Sequence, residues 1–343
     1  MIRVAINGFG RIGRAFFKLA QYKGDEIEIV AINDLSPIDN IAYLLKYDSA
    51  YGRAPFEITH KEGVLTANGK EMKYLSEKDP AKLPWKDLNV DVVLESTGFF
   101  ASYAKSKSHL DAGAKRVVIS APVTDEPQEG IVGATVLMGV NHQKLQTCDI
   151  SSNASCTTNA GGPVIQILEE SIGIEKALLN TVHGYTSSQS LVDSPNSKGK
   201  NRRGRAAAQN IVPSSTGSAI ATTKAITSLT GKFDGIAIRV PVIVGSLVDI
   251  TFISKRPTTV EEVNEIFKKA AQNPRWKGIF NVTDEDLVST DIIGNTHASI
   301  IDLEYTRVVD GNLVKVLSWY DNEMGYTNTL VKHIIETGKF IKK

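Results

Sequence analysis

The six residues Gly8-Phe9-Gly10-Arg11-Ile12-Gly13 restrict this chain more than any other stretch of it. They follow an apolar run, Ile2 to Asn7, that reads as a buried strand, and they lead into Arg14 to Ala20, which has helical spacing. In that setting each glycine has a task. The first permits a tight turn, the second lets a pyrophosphate approach the main chain, and the third brings helix against strand. The next strand, Glu28 to Asp34, ends on a carboxylate about 20 residues beyond the last glycine, the spacing at which an acid meets an adenosine ribose. Leu35, not an arginine, follows Asp34, so a 2′-phosphate would meet repulsion without compensation and NAD is expected in preference to NADP. The expected nucleotide contacts at these strand ends are Gly8, Phe9, Gly10, Arg11, Ile12, Asn33 and Asp34.

Two further core strands, Asp91 to Gly98 and Arg116 to Pro122, end in small polar residues. Ligands of open α/β sheets bind at such carboxyl ends, which makes Thr97, Gly98 and Ser120 candidates for cofactor contact. Val136 to Asn141 reads as one more strand, Ile41 to Tyr51 as a helix, and Phe56 to Tyr74 as hairpin material turning at Asn68-Gly69. Beyond residue 155 the pattern changes. Longer strands (Ala177 to Val182, Phe233 to Val240, Leu247 to Lys255, Leu313 to Tyr320) accompany a helix from Val260 to Ala271, the signature of an α+β domain. A chain of 343 residues exceeds one ordinary core. The expected fold class is therefore α/β, with a Rossmann domain over 1–155 and an α+β domain on a mixed or antiparallel sheet over 156–320. The second domain contains a long irregular segment, 184–210. A C-terminal helix, about 321–343, is expected to pack back on the first domain; its amphipathic part is Leu330 to Phe340.

Chemistry is concentrated at Ser155-Cys156-Thr157. Small and hydroxyl residues precede a helical run, so a lone thiol sits where a helix should begin, among free amides whose positive end favours anions. A thiol there is expected to have a lowered pKa, and the thiolate is the nucleophile. A buried structural cysteine is the bland alternative, but such a residue normally sits among Val, Ile and Leu. His183, ending the apolar run before Gly184, is the candidate base, with a satisfied structural histidine as its alternative. His60, His109, His142, His297 and His333 read as lying in polar or turn contexts. A thiolate, an imidazole and a bound nicotinamide together suggest aldehyde oxidation: the thiol makes the carbonyl carbon tetrahedral, after which hydride can leave. Arg239 interrupts the apolar strand Ile236 to Val240, and a charge there needs an anion or a partner.

Charge excludes some classes of function. Lys and Arg number 39 against 38 Asp and Glu, a net charge of +1, which exerts no overall pull toward nucleic acid or a membrane. The basic stretch Lys198 to Arg205 is then a solvated loop or an anion site before it is an RNA contact. The two cysteines, Cys148 and Cys156, lack zinc-ligand spacing, so no metal is expected and a reducing cytoplasm is the default. The amino terminus enters a strand at once, with no signal-peptide pattern, and no apolar run approaches the roughly 20 residues of a membrane span.

The separated motifs Asn7 to Arg14, Glu95 to Gly98, Ser152 to Asn159, Arg202-Arg203 with Arg205 to Ala207, and Ser318 to Glu323 resemble, in order, those of the glyceraldehyde-3-phosphate dehydrogenase family. The resemblance implies an NAD-dependent, phosphorylating oxidation of glyceraldehyde 3-phosphate in glycolysis or gluconeogenesis, carried out by a homotetramer; charge, hydropathy and cysteine usage add the expectation of a cytoplasmic protein without a membrane partner, and nucleic acid is not an expected partner. It makes Cys156 the nucleophile, His183 its base, and residues 184–210 an S-shaped loop. It assigns Thr186, Ser188 and Arg239 to the substrate phosphate, and Ser155, Thr157, Arg203, Thr216 and Gly217 to the attacking inorganic phosphate. Asn322 holds the nicotinamide amide. Departures from the family pattern are Ala160 for a second cysteine, Ser190 for a lysine, Val242 to Ser246 for a more regular segment, and Ser194 before Pro195. Erythrose-4-phosphate dehydrogenase is the alternative enzyme, and RNA or protein binding through residues 198–205 the alternative of another class.

Overall fold

Alternation of strand and helix from the first residues builds one sheet, and the longer strands beyond Cys156 build another. The computed structural model describes residues 1–196 and 200–341. Contacts divide the chain into unit 1, Met1–Ala154 together with the segment from Thr327 onward, and unit 2, Ser155–Tyr326.

Unit 1 holds strands β1 (Ile2–Asn7), β2 (Ile27–Asn33), a small pair β3 (Tyr47–Asp48) and β4 (Gly52–Arg53), then β5 (Ile58–Lys61), β6 (Val64–Ala67), β7 (Lys70–Leu75), β8 (Val92–Glu95), β9 (Arg116–Ile119), β10 (Gly133–Thr135) and β11 (Ile150–Ser152). The main sheet runs β10-β11-β9-β8-β1-β2-β7-β6-β5. It is parallel from β10 to β7 and closes in an antiparallel meander, whose β6 to β7 turn uses Asn68 and Gly69 at positive φ. Helices α1 (Arg11–Ala20), α2 (Ile38–Lys46) and α3 (Tyr103–Asp111) alternate with these strands. Parallel strands are covered on both faces, which is why β1, β8 and β9 are almost continuously apolar. Ala5, Ala31, Trp85 and Val93 cluster as one core; Tyr103, Val117, Ile119 and Ile150 form another. Strand order reverses between β1 and β8, the switch point at which open α/β sheets bind ligands.

Unit 2 begins with helix α4 (Cys156–Ser171) and continues through β12 (Ile174–Gly184), β13 (Val212–Ser215), α5 (Ser218–Ala225), β14 (Phe233–Val240), β15 (Ser246–Ser254), α6 (Val260–Gln272), β16 (Phe280–Thr283), β17 (Ser299–Val309) and β18 (Leu313–Tyr320). Its mixed sheet is ordered β13-β14-β12-β15-β18-β17-β16. Helix α7 (Met324–Lys339) carries the chain back into unit 1. There His333 joins Ser151 Oγ through Nε2 at 2.7 Å and Asn153 Oδ1 through Nδ1 at 3.0 Å.

Three readings of the sequence need correction. Val136 to Asn141 is not a strand: the strand is β10, just before it, and the Asn141 side chain closes a turn by accepting from Leu137 N–H and donating to the Thr135 carbonyl. Val136 and Leu137 are apolar because they are buried, and a short apolar run does not distinguish strand from buried turn. Helix α2 starts before Ile41 and ends at Lys46. His109 and His333 are fully buried helical residues with side-chain partners, not residues of polar turns.

Candidate active site

Helix α4 starts on the thiol itself. Ser155 stands at the N-cap with extended backbone, and its Oγ accepts the Thr158 N–H at 3.1 Å, so the first turn is fixed from its own sequence. Cys156 Sγ lies 3.3 Å from His183 Nε2. His183 is the penultimate residue of β12, and its neighbour in the parallel register is Arg239 of β14. That register brings Arg239 Nη1 to within 3.1 Å of the Gly184 carbonyl, which also faces His183 Nδ1 at 2.6 Å. Arg239 Nη1, which can only donate, also lies 3.0 Å from Nδ1, but the shorter contact is with the carbonyl, which can only accept; that contact places the imidazole proton on Nδ1 and turns the Nε2 lone pair to the thiol. The Tyr320 ring stands edge-on to the imidazole, with centroids 5.9 Å apart.

Burial pushes the Cys156 thiol up from its ordinary pKa, while the Arg239 charge and the first-turn N–H groups of Thr157 and Cys156 pull it down without prevailing. Burial, aided by Arg239, holds His183 down to about 3. Burial thus opposes the helix end at this thiol and raises its pKa, the reverse of the lowering its sequence position suggests.

Cationic groups without carboxylate partners surround this pair. Arg203 donates through Nε and Nη2 to Ser214 Oγ at 2.9 and 2.7 Å, and through Nη1 to Ser188 Oγ at 3.1 Å. Ser188 Oγ is also 3.0 Å from Thr186 Oγ1. Neither Arg203 nor Arg239 forms an ion pair among the described residues, their charges oppose each other, and the buried Nε of Arg239 has no partner. Two guanidinium groups so placed suit an anion. A second concentration of donors lies where two helices begin. Thr158 Oγ1 contacts Ser155 Oγ at 2.7 Å and Ser218 Oγ at 3.3 Å, Thr216 Oγ1 accepts the Ser218 N–H, and Gly217 is the exposed N-cap of α5.

Some candidates are engaged differently from the grouping the sequence suggested. Thr157 is buried, and its hydroxyl meets Tyr320 Oη at 3.0 Å and also hydrogen-bonds toward the Cys156 sulfur. Ser188 turns to Arg203 and not to Arg239. The basic loop is partly used within the fold: Arg205 pairs with Asp193 at 2.6 Å and Lys200 reaches Ser215, while Lys198 lies outside the described residues. Ser190, in place of the lysine, joins Ser194 Oγ at 2.8 Å and holds the loop to itself. Sequence reasoning missed two residues. Tyr320 ties Thr157 to Thr181, and Ser246 relays from the Gly184 N–H to Asn322 Oδ1. Ser246 Oγ donates to Asn322 Oδ1, an oxygen that can only accept, which leaves the Asn322 NH2 to donate elsewhere. No single-residue signal marks either; both follow from the register of β15 and β18.

In unit 1, a pocket of about 450 Å³ opens at the switch point, bordered by Asn7, Gly8, Gly10, Asn33, Asp34 and Thr97, with Leu35, Phe99 and Phe100 as apolar walls. Its fit to a dinucleotide can be tested on the glycines. Gly8 has φ +92°, and a Cβ there would lie 2.6 Å from Thr97 N; a Cβ at Gly13 would lie 2.3 Å from Gly8 O; over Gly10 the space is open. Asp34 is held by the Phe9 and Ser36 N–H groups at 2.7 and 2.9 Å. These features suit a pyrophosphate over the turn and a ribose at the acid. The Phe9 ring packs on Phe17 and the Arg11 side chain pairs with Asp48 at 2.9 Å, so both can face a nucleotide only through their main chains. Ile12 lies in the first turn of α1, while Gly98 and Ser120 follow β8 and β9 without lining the pocket.

Two family models match the chain: glyceraldehyde 3-phosphate dehydrogenase, NAD binding domain, over residues 2–103, and glyceraldehyde 3-phosphate dehydrogenase, C-terminal domain, over residues 155–322. The chain belongs to the glyceraldehyde 3-phosphate dehydrogenase family. It is 47% identical over 339 residues to the glyceraldehyde-3-phosphate dehydrogenase of Streptomyces coelicolor, covering 98% of each chain. It is 48% identical over 345 residues to that of Mycobacterium avium, covering 98% of this chain and 99% of the relative. The NAD-binding match contains the glycine turn, Asp34 and Thr97; the C-terminal match begins at Ser155 and ends at Asn322. Among the described residues no helix is long and apolar enough to cross a membrane.

Proposed function

We propose that the chain oxidises glyceraldehyde 3-phosphate with NAD and inorganic phosphate to 1,3-bisphosphoglycerate, through a thioester on Cys156. The observation that carries this reading is the 3.3 Å contact of Cys156 Sγ with His183 Nε2 beside two arginines that have no carboxylate partner among the described residues. His183 Nε2 takes the thiol proton as Sγ adds to the aldehyde carbon, giving a hemithioacetal. His183 hands that proton to the carbonyl oxygen, completing the hemithioacetal hydroxyl, and takes it back as the C–H bond gives up its hydride; NAD in the unit 1 pocket would supply the hydride acceptor, and the carbon left on sulfur is then a thioester. A phosphate oxygen then attacks the acyl carbon, the C–S bond breaks, and the sulfur leaves as thiolate. Arg239 and Arg203, with Thr186 and Ser188, form a dianion site suited to the substrate phosphate. The Ser155 and Thr157 main chains, with Thr216 and Gly217, supply donors for the attacking phosphate. The glycine turn, Asp34 and Thr97 hold the dinucleotide, and the NH2 of Asn322 is the donor this reading gives to the nicotinamide amide.

The test is kcat/KM for glyceraldehyde 3-phosphate and erythrose 4-phosphate, each with and without inorganic phosphate. The reading expects the three-carbon aldehyde to be preferred and NADH formation to need phosphate; preference for the four-carbon sugar overturns it. We also propose a cytoplasmic homotetramer. The thiol chemistry requires a reducing compartment. Leu178, Ile220 and Leu313, exposed by 66%, 65% and 42% around one hollow of unit 2, support coverage by another copy. Sedimentation equilibrium should give four times 37.2 kDa; a monomer mass contradicts the assembly.

A further inference from the structure

Three side chains form a row across the carboxyl ends of adjacent strands. Asn33 of β2, Asn7 of β1 and Glu95 of β8 face one another in the parallel register. Glu95 is buried, and both its oxygens are fully used. Oε2 accepts from Asn7 Nδ2 at 2.6 Å and from His109 Nε2 at 3.1 Å; Oε1 accepts from the Thr97 N–H at 2.8 Å and from the Thr97 hydroxyl. Trp85 Nε1–H donates to His109 Nδ1 at 3.0 Å, so the proton of that ring sits on Nε2 and His109 is a neutral donor. Asn7 Oδ1 in turn accepts from Asn33 Nδ2 at 2.7 Å, and Asn33 clasps Glu77 twice, at 2.9 Å each, through its carbonyl and its N–H.

A buried carboxylate bonded only by neutral donors is costly, and the ends of three hydrophobic strands could have closed without one. What this one secures is the pocket. Asn7, Asn33, Glu77 and Thr97 all line the cavity at the switch point, and each is fixed by Glu95 directly or through Asn7. We propose that Glu95 is a positioning residue for NAD, holding three walls of the nucleotide pocket in their binding arrangement before the cofactor arrives. The proposal rests on the reading that NAD occupies this pocket. A preformed site binds more tightly because it spends less on ordering.

The test is NAD titration by isothermal calorimetry of the full chain and of Glu95→Gln and His109→Leu. Glu95→Gln keeps the shape but directs an NH2 at existing donors; His109→Leu removes one donor and leaves Trp85 Nε1–H unpaired. Loss of a hydrogen bond to a charged group predicts an NAD Kd weakened by about tenfold or more in Glu95→Gln and less in His109→Leu. KM for NAD should rise in parallel, with kcat and the iodoacetamide reaction of Cys156 in nucleotide-free protein unchanged. NAD binding by Glu95→Gln equal to that of the parent overturns the proposal, and where that variant does not fold, parental binding by His109→Leu overturns it. A parent chain that fails to bind NAD would sink the placement of the nucleotide and the proposal with it.

Discussion

At the scale of single residues, the pair that performs chemistry was legible because its composition is out of place: Cys156 stands among hydroxyls at a helix start, and His183 ends an apolar strand. Arg239 was legible for the same reason, as a charge inside a strand. The destination of Thr157 was not. Its hydroxyl points to Tyr320, a residue 163 positions away in the chain, and local spacing carries no information about that. The thiol pKa was also beyond local reasoning, since helix-end stabilisation was visible in sequence but burial was not. Arg239 is the charge that opposes this burial, so its removal has a defined sign. A cation beside a thiol favours the thiolate, and Arg239→Leu should therefore move the apparent pH midpoint for alkylation of the Cys156–His183 pair upward. The same variant should raise KM for the aldehyde phosphate by about tenfold or more, as expected when a charged hydrogen-bond donor is lost. A pH profile of iodoacetamide labelling checks the first outcome, and an unchanged midpoint contradicts it.

Among the elements, the parallel strands of unit 1 were readable because double burial makes them continuous apolar runs, and the β6 to β7 turn because Asn-Gly accepts positive φ. Val136 to Asn141 failed for a related cause: burial alone makes a stretch apolar, and Asn141 decides the turn through side-chain bonds that have no periodicity. Strand β17 escaped notice because Asp302 and Glu304 break its run, although Asp302 is buried and accepts from Trp319 Nε1 at 3.0 Å. The start of α4 combines both lessons, since its small and hydroxyl residues marked the helix start and its junction with α5 was not legible. Ser155→Ala removes the acceptor for Thr158 N–H and should lower the stability of unit 2 by about 1 kcal/mol. Chemical denaturation followed through unit 2 should show this loss, and a variant as stable as the parent would deny Ser155 the capping role.

For the whole molecule, each unit contains a buried histidine whose pKa burial pushes down to about 3 from 6.5, His183 in unit 2 and His333 in unit 1. Between those values the unfolded chain binds protons that the folded chain refuses. Stability is therefore complete above pH 6.5 and falls as the pH drops, by about 1.4 kcal/mol per pH unit for each histidine. Urea unfolding at several pH values should reveal this slope, and His333→Gln should reduce it in unit 1; a flat profile over that range is the contrary result. The central claim is that Cys156 carries the acyl group between oxidation and phosphate attack. It is tested most directly by mixing the protein with NAD and glyceraldehyde 3-phosphate in the absence of phosphate, quenching in acid, and measuring the mass of the Cys156 peptide. The account predicts one acyl group on that peptide, formed together with NADH and discharged when phosphate is added. NADH production with an unmodified Cys156 peptide, or an adduct that phosphate does not release, would contradict it.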